Sequence, residues 1–206
     1  ILALRRNLIN YREDLQQGAW QKSTHFCILD HPIHDLDGST LGIIGYGTLG
    51  RAVEKLARAF GMKILIAERK GATTTRDGRT PFIEALRASD IVTLHTPLNS
   101  ETRNLIGAEE LAMMSRGALL INCARGGVVD EAALAQALRG KRIAGAGVDV
   151  LSREPPRGDG GSNPLLSADL PNLVLTPHVA WASREAMQTL ADQLISNIEK
   201  AVIGDG

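Results

Sequence analysis

The sequence has no excess of either charge: 23 Lys and Arg balance 23 Asp and Glu over 206 residues. That excludes the electrostatic footprint of a chain built to hold nucleic acid or an anionic membrane surface. No apolar run reaches the roughly 18 residues of a membrane-spanning helix, and no signal-peptide pattern opens the chain. Cysteine is scarce. Cys27 and Cys123 stand alone, too few for a disulfide framework, so a reducing, cytoplasmic setting is the expectation. Solenoid-spaced repeats and low-complexity segments are missing as well. His31 and His34 have a spacing that suits a metal, but no cysteine or third histidine supports them; they read as loop residues and no metal is expected.

What is present is organised around residues 41–50. An apolar run leads into Gly45-x-Gly47-x-x-Gly50 and on into an amphipathic segment, which reads as strand, tight turn and helix. Gly45 would make the turn, Gly47 would let the backbone approach a pyrophosphate, and Gly50 would let the helix lie against the strand. The phosphates would then sit at a helix N-terminus, where free N–H groups and the positive end of the dipole point at them. Val53, Leu56, Ala57 and Phe60 fall at i, i+3, i+4 and i+7, giving that helix one apolar face. Gly61 ends it. Residues 62–67 form a second apolar run closing on Glu68, 18 residues past Gly50, where a dinucleotide fold places an acid on the adenosine ribose hydroxyls.

The same reading extends over the rest of the chain. The opening residues predict a helix ending near Gly18, with Leu4, Leu8, Tyr11 and Leu15 on one face. Thr80 is expected to cap a helix with Pro81 at its first position, and Asp130 to cap another. Short apolar strands are expected at 90–94, 118–122, 143–148 and 173–175. A closing helix over 183–202 carries Met187, Leu190, Ala191, Leu194, Ile195 and Ile198 on one side. Six continuous apolar strands alternating with helices imply an α/β fold: a doubly wound parallel sheet of the Rossmann type, helices on both faces, strand order 3-2-1-4-5-6.

Ligands of such sheets bind outside the carboxyl ends of the strands. There stand the glycine turn, Glu68, residues 95–98, 122–127, 149–156 and 176–178. Arg125 offers a planar fork of donors matched to a carboxylate. His178 can move a proton to or from a hydroxyl or carbonyl near neutral pH. Glu154 can hold that imidazole in one tautomer and favour its protonated form. Singly these are a surface charge, a loop acid and a satisfied histidine. Together, beside a nicotinamide ring, they suffice to interconvert a 2-hydroxy acid and a 2-oxo acid.

The ordered motifs Gly45-x-Gly47-x-x-Gly50, Asn122-x-Ala124-Arg125-Gly126-Gly127-Val128-Val129-Asp130-Glu131, Gly147-Val148-Asp149-Val150 leading to Glu154-Pro155-Pro156, and Thr176-Pro177-His178 resemble the D-isomer-specific 2-hydroxyacid dehydrogenases. Residues 46–50 and 67–69 lean toward the glycerate dehydrogenase or hydroxypyruvate reductase group. The resemblance implies that Arg125 binds the substrate carboxylate, that His178 is the acid/base and that Glu154 is its partner. It implies further that Gly45, Gly47, Thr48, Leu49, Glu68, Arg69, Thr96, Pro97, Cys123, Ala124, Arg125, Asp149 and His178 line the cofactor, with Asp149 on the nicotinamide carboxamide. NAD is favoured by the acid Glu68, while Arg69 and Lys70 after it leave NADP open.

Members of that family carry an additional N-terminal substrate lobe. The expectation is therefore a dinucleotide-binding domain over 1–206, with 1–38 as a crossover and dimer-forming segment carrying Trp20 and 39–206 as the Rossmann core and closing helix. Such a piece should bind dinucleotide and turn over a small 2-hydroxy or 2-oxo acid poorly by itself. A homodimer is the expected assembly. A dinucleotide-sensing regulator on the same scaffold is the alternative, though a sensor has no need of Arg125, Glu154 and His178 together.

Overall fold

Runs of Ile, Leu and Val with no polar interruption make strands that must be covered on both sides. The computed structural model describes residues 1–156, 163–167 and 169–203. In it β1 (Thr40–Ile44), β2 (Lys63–Ile66), β3 (Ile91–Leu94), β4 (Leu119–Asn122), β5 (Gly145–Val148) and β6 (Leu173–Leu175) pair in parallel throughout. Alternate residues go to opposite faces, as the strand's period of two requires. Leu41, Ile43, Ile91, Leu119 and Ile121 enter one apolar cluster, and Ile44, Val92, Leu94, Leu120, Ala146 and Val148 the other.

Helices supply both covers. In chain order they are α1 (Leu2–Arg5), α2 (Leu8–Gln16), α3 (Thr48–Ala59), α4 (Phe82–Ala88), α5 (Ala108–Met113), α6 (Glu131–Arg139) and α7 (Arg184–Ile203). Leu4 of α1 with Val53 and Ala57 of α3 packs on the first cluster. Phe82 and Leu86 of α4, Leu111 of α5, and Leu134 and Leu138 of α6 pack into the second. Asp130 caps α6 as expected, its carboxylate accepting the N–H groups of Ala132 and Ala133 at 3.0 Å. No helix among the described residues is long and apolar enough to cross a membrane.

Four details differ from the sequence reading, each for a local reason. The strand order is β2-β1-β3-β4-β5-β6 rather than 3-2-1-4-5-6. Polar residues 69–79 cannot build a full third strand, and only Thr80 bridges Ala67 beyond β2; counted as a rudimentary edge strand, it restores the expected order at that end. Because the Thr80 backbone is used there, α4 starts at Phe82 with Pro81 at its cap, one residue later than predicted.

The opening helix breaks at Asn7, which lies in the left-handed region at φ 50°. Leu8 and Leu15 are thereby turned away from the sheet that Leu4 packs on. Finally, the apolar stripes of α3 and α7 are only partly used. Leu56 and Phe60 are 63% and 51% exposed, and Met187, Leu190, Leu194, Ile195 and Ile198 stand open along α7.

Candidate functional site

The turn after β1 is shaped by what cannot fit there. Gly45 has φ +90°, and a Cβ on it would lie 2.5 Å from the His95 carbonyl oxygen at the end of β3, so only glycine lets the chain reverse here. Around Gly47, by contrast, a Cβ would meet nothing within 4 Å. Gly47 caps α3 with no side-chain bond, which leaves the first N–H groups of the helix, at Thr48 and Leu49, without a hydrogen-bond partner among the described residues.

A cavity of about 380 Å³ opens beside this turn, lined among others by Gly45, Glu68, Arg69, Thr96 and Pro97. Thr96 Oγ1 is buried there without a hydrogen-bond partner among the described residues. An open helix N-terminus beside a cavity with an orphaned hydroxyl suits a dinucleotide. His95, whose imidazole Nε2 lies 3.1 Å from Thr93 Oγ1, is pulled below its ordinary range by burial and is a neutral packing group.

Glu68 sits at the end of β2 as predicted, but its carboxylate is already engaged. Arg76 grips it through Nε at 2.8 Å and Nη2 at 2.5 Å, while the N–H groups of Arg69 and Arg76 donate at 2.8 and 3.2 Å. Hydrogen bonds from Arg76 hold the carboxyl far below the usual carboxylate range, at about 2. Arg76 was not singled out from the sequence, because the eight residues separating it from Glu68 fit no helix or strand period.

The remaining predicted site residues stand on the loops after β4, β5 and β6, outside the lining of that cavity. Asn122 at the end of β4 folds its loop by accepting the Ala124 N–H and donating to the Arg125 carbonyl, both at 3.1 Å. Gly126 then passes so close to the next loop that a Cβ would overlap the Leu151 carbonyl. This contact brings the backbone of the Arg125 loop against residues 151–152. Arg125 itself is exposed, its Nη1 resting on the Ala124 carbonyl at 2.7 Å. Cys123 is an exposed free thiol beside it.

Asp149, expected on the nicotinamide carboxamide, is buried and organises the loop after β6. Its carboxylate accepts the Thr176 hydroxyl at 2.5 Å and the N–H groups of Val179 and Ala180 at 3.0 and 2.9 Å. Burial pushes its carboxyl up, and bonds from Thr176, Ala180 and Val179 outweigh that and hold it low. The loop it grips presents His178 at φ 56°, a region that a non-glycine residue enters only when its surroundings over-determine it. Here the His178 N–H donates to the Asp149 carbonyl at 2.8 Å, and the Trp181 indole donates to the His178 carbonyl at 3.0 Å.

His178 and Glu154 meet directly: Nδ1 lies 2.7 Å from Oε2. The Leu151 N–H donates to the other carboxylate oxygen at 2.7 Å. With Nδ1 so held, Nε2 is the nitrogen left for a ligand, and it has no partner among the described residues. Glu131, at the start of α6, accepts the N–H and hydroxyl of Ser152 at 2.6 and 2.9 Å, pinning the segment that carries Glu154. The sequence showed Glu131 only as part of a motif. Away from the site, His31 pairs with Asp14 at 2.7 Å, and no cluster of three metal-ligating side chains occurs among the described residues.

Residues 1–180 match the family model described as D-isomer specific 2-hydroxyacid dehydrogenase, NAD binding domain. The chain is 54% identical over 204 residues to a glycerate dehydrogenase of Methylorubrum extorquens, covering 99% of this chain and 63% of that one. Among solved structures it resembles the NAD-complexed D-isomer specific 2-hydroxyacid dehydrogenase of Lactobacillus delbrueckii ssp. bulgaricus, with TM-score 0.83 and 30% identity over 100% of this chain and 64% of that one. It also resembles an acyclic imino acid reductase in complex with NADPH and D-Arg, with TM-score 0.81 and 32% identity over 98% and 62%. The chain thus spans under two thirds of the length of each of these proteins, and it belongs to the D-isomer-specific 2-hydroxyacid dehydrogenases, of which it forms the NAD-binding domain.

Proposed function

We propose that the protein moves a hydride between a nicotinamide dinucleotide and C2 of a small D-2-hydroxy or 2-oxo acid, with glycerate and hydroxypyruvate, or glyoxylate, as the substrate class. The carrying observation is the bond between His178 Nδ1 and Glu154 Oε2 at 2.7 Å, which leaves Nε2 without a partner among the described residues. When bound, the dinucleotide supplies the hydride and the face on which it is delivered. Arg125, released from the Ala124 carbonyl, binds the substrate carboxylate through two parallel bonds. In the reducing direction His178 Nε2 gives its proton to the substrate oxygen, and Glu154 keeps the imidazole oriented and offsets its positive charge. Asp149 and Trp181 hold the histidine's backbone in place.

The dinucleotide-sensor reading lacks support from this arrangement, because a sensor gains nothing from a histidine and a carboxylate held at hydrogen-bond distance. Testing the full-length protein against glyoxylate, hydroxypyruvate, pyruvate and 3-phosphohydroxypyruvate, with loss of reduced nicotinamide absorbance as readout, decides the matter. Turnover of hydroxypyruvate or glyoxylate is expected; no turnover of any of the four overturns the reading.

A substrate lobe outside residues 1–206 completes the site and covers the open apolar side of α7. The segment 1–206 alone then binds dinucleotide with little or no turnover. The assembly is a homodimer, supported by the outward stripe of Leu49, Leu56 and Phe60 on α3 and by Phe26 and Leu29, which project 91% and 77% exposed from the loop that Trp20 braces. Light scattering checks it, and a monomer at micromolar concentration refutes it. Two unpaired thiols, Cys27 and Cys123, fit a reducing cytoplasmic location, testable by cell fractionation.

A further inference from the structure

A bare carboxylate at the end of β2 discriminates in two ways: it accepts the ribose hydroxyls and repels a 2′-phosphate. Glu68 is not bare. A carboxylate has about four lone-pair positions, and here four donors already occupy them, two from the Arg76 guanidinium and two from the N–H groups of Arg69 and Arg76. Arg76 also cancels its charge. The acid is therefore spent on folding residues 69–76 back over the strand end.

That fold gathers cations. Arg69, Lys70, Arg76 and Arg79 all line the cavity beside the glycine turn. Lys70 is paired with Glu110 at 2.7 Å, so it is not counted. Arg69 and Arg79 have no carboxylate partner among the described residues, and Arg79 lies 4.9 Å over the Tyr46 ring. Arg76 binds Glu68 through Nε and Nη2 and keeps Nη1 uncommitted. Of the acids lining the cavity, only Glu101 stands apart from this latch. Two unpaired guanidinium groups and a third with a spare N–H edge are the chemistry that recognises a phosphate.

We propose that the Glu68–Arg76 latch converts the adenosine end of the cleft from a 2′-phosphate-excluding site into a 2′-phosphate-accepting one, so that the domain binds NADP(H) at least as tightly as NAD(H). This rests on the dinucleotide reading above and adds the identity of the residue that sets selectivity. Arg76 acts by masking Glu68, and Arg69 and Arg79 supply the attraction.

The test is calorimetric titration of the full-length protein with 2′,5′-ADP, 5′-AMP and NADH, comparing wild type with Arg76→Gln, Glu68→Gln and the double variant. Wild type is expected to bind 2′,5′-ADP at least as tightly as 5′-AMP. Arg76→Gln exposes the acid and shifts the ratio of the two affinities toward 5′-AMP by at least about tenfold, or about 1.4 kcal/mol. The double variant, with no bare acid left, returns the ratio toward wild type. Wild-type binding of 5′-AMP tighter than 2′,5′-ADP overturns the proposal. So does an Arg76→Gln protein in which both ligands weaken equally, since the latch is then only a loop fastening. If NADH binds in either of those cases, the dinucleotide reading survives the loss of this one; if no probe binds wild type, both fall.

Discussion

The two halves of the cleft are built in opposite ways. At the adenosine end the backbone leaves the room: Gly45 and Gly47 clear space, Thr96 waits with an unpaired hydroxyl, and the acid Glu68 is sealed under Arg76. At the end proposed for catalysis, acids in the loops beneath hold exposed chemistry. Asp149 and Glu131 grip the loops that hold up His178, whose imidazole side chain is 41% exposed, and Glu154, while Asn122 folds the loop of Arg125. The second half is poised at a surface, which is what a site closed by another lobe requires, because water must be excluded only after substrate arrives.

If the halves are separable, damage to one should spare the other. The largest effect is expected for His178→Asn in the full-length protein, an exchange that keeps a residue tolerant of left-handed backbone. Turnover should drop by about 10²–10⁴-fold while NADH affinity stays within experimental error; an equal loss of both would erase the distinction.

Gly45→Ala strikes the first half. Its Cβ meets the His95 carbonyl at a positive φ, so stability should fall by about 2–5 kcal/mol, seen as a lower denaturation midpoint, and dinucleotide binding should weaken in whatever protein remains folded.

Asp149→Asn probes the hidden support of the second half. Replacing an ionised acceptor of three hydrogen bonds should cost about 1.5–3 kcal/mol and raise KM and lower kcat together, since the histidine loop loosens. An unchanged melting curve would remove Asp149 from its organising role.

The smallest expected effect is a pH dependence. Because the Glu68 carboxyl titrates at about 2 in the folded protein against an ordinary 4.5, its latch stabilises the fold above the ordinary value. That contribution is lost as pH falls from there toward about 2. Glu68→Gln should flatten this part of the stability profile, measured by thermal melts across acid pH; an unchanged slope would show that the latch contributes nothing to folding.

Much of this was legible from residue order alone. The six strands, the glycine turn, the Asp130 cap and the positions of Arg125, Glu154 and His178 follow from apolar periodicity and from the rule that α/β sheets bind at their carboxyl edge. Arg76 was not legible, because its partner lies eight residues away across an irregular loop. The hold of Asp149 on the loop after β6 was not legible either, since nothing in Gly-Val-Asp-Val tells which N–H groups its carboxylate accepts. The stripe on α3 reads as one apolar face, yet only its Val53 and Ala57 side packs on the sheet while Leu56 stands open.

What the sequence by itself determined is the class of architecture and the chemistry at each strand end, because hydrophobic period and glycine placement act over a few residues. Only the tertiary structure decided which charges meet. Whether Glu68 is free or held, and whether His178 reaches Glu154, depends on loops from distant parts of the chain arriving within hydrogen-bond distance, and no local pattern encodes that distance.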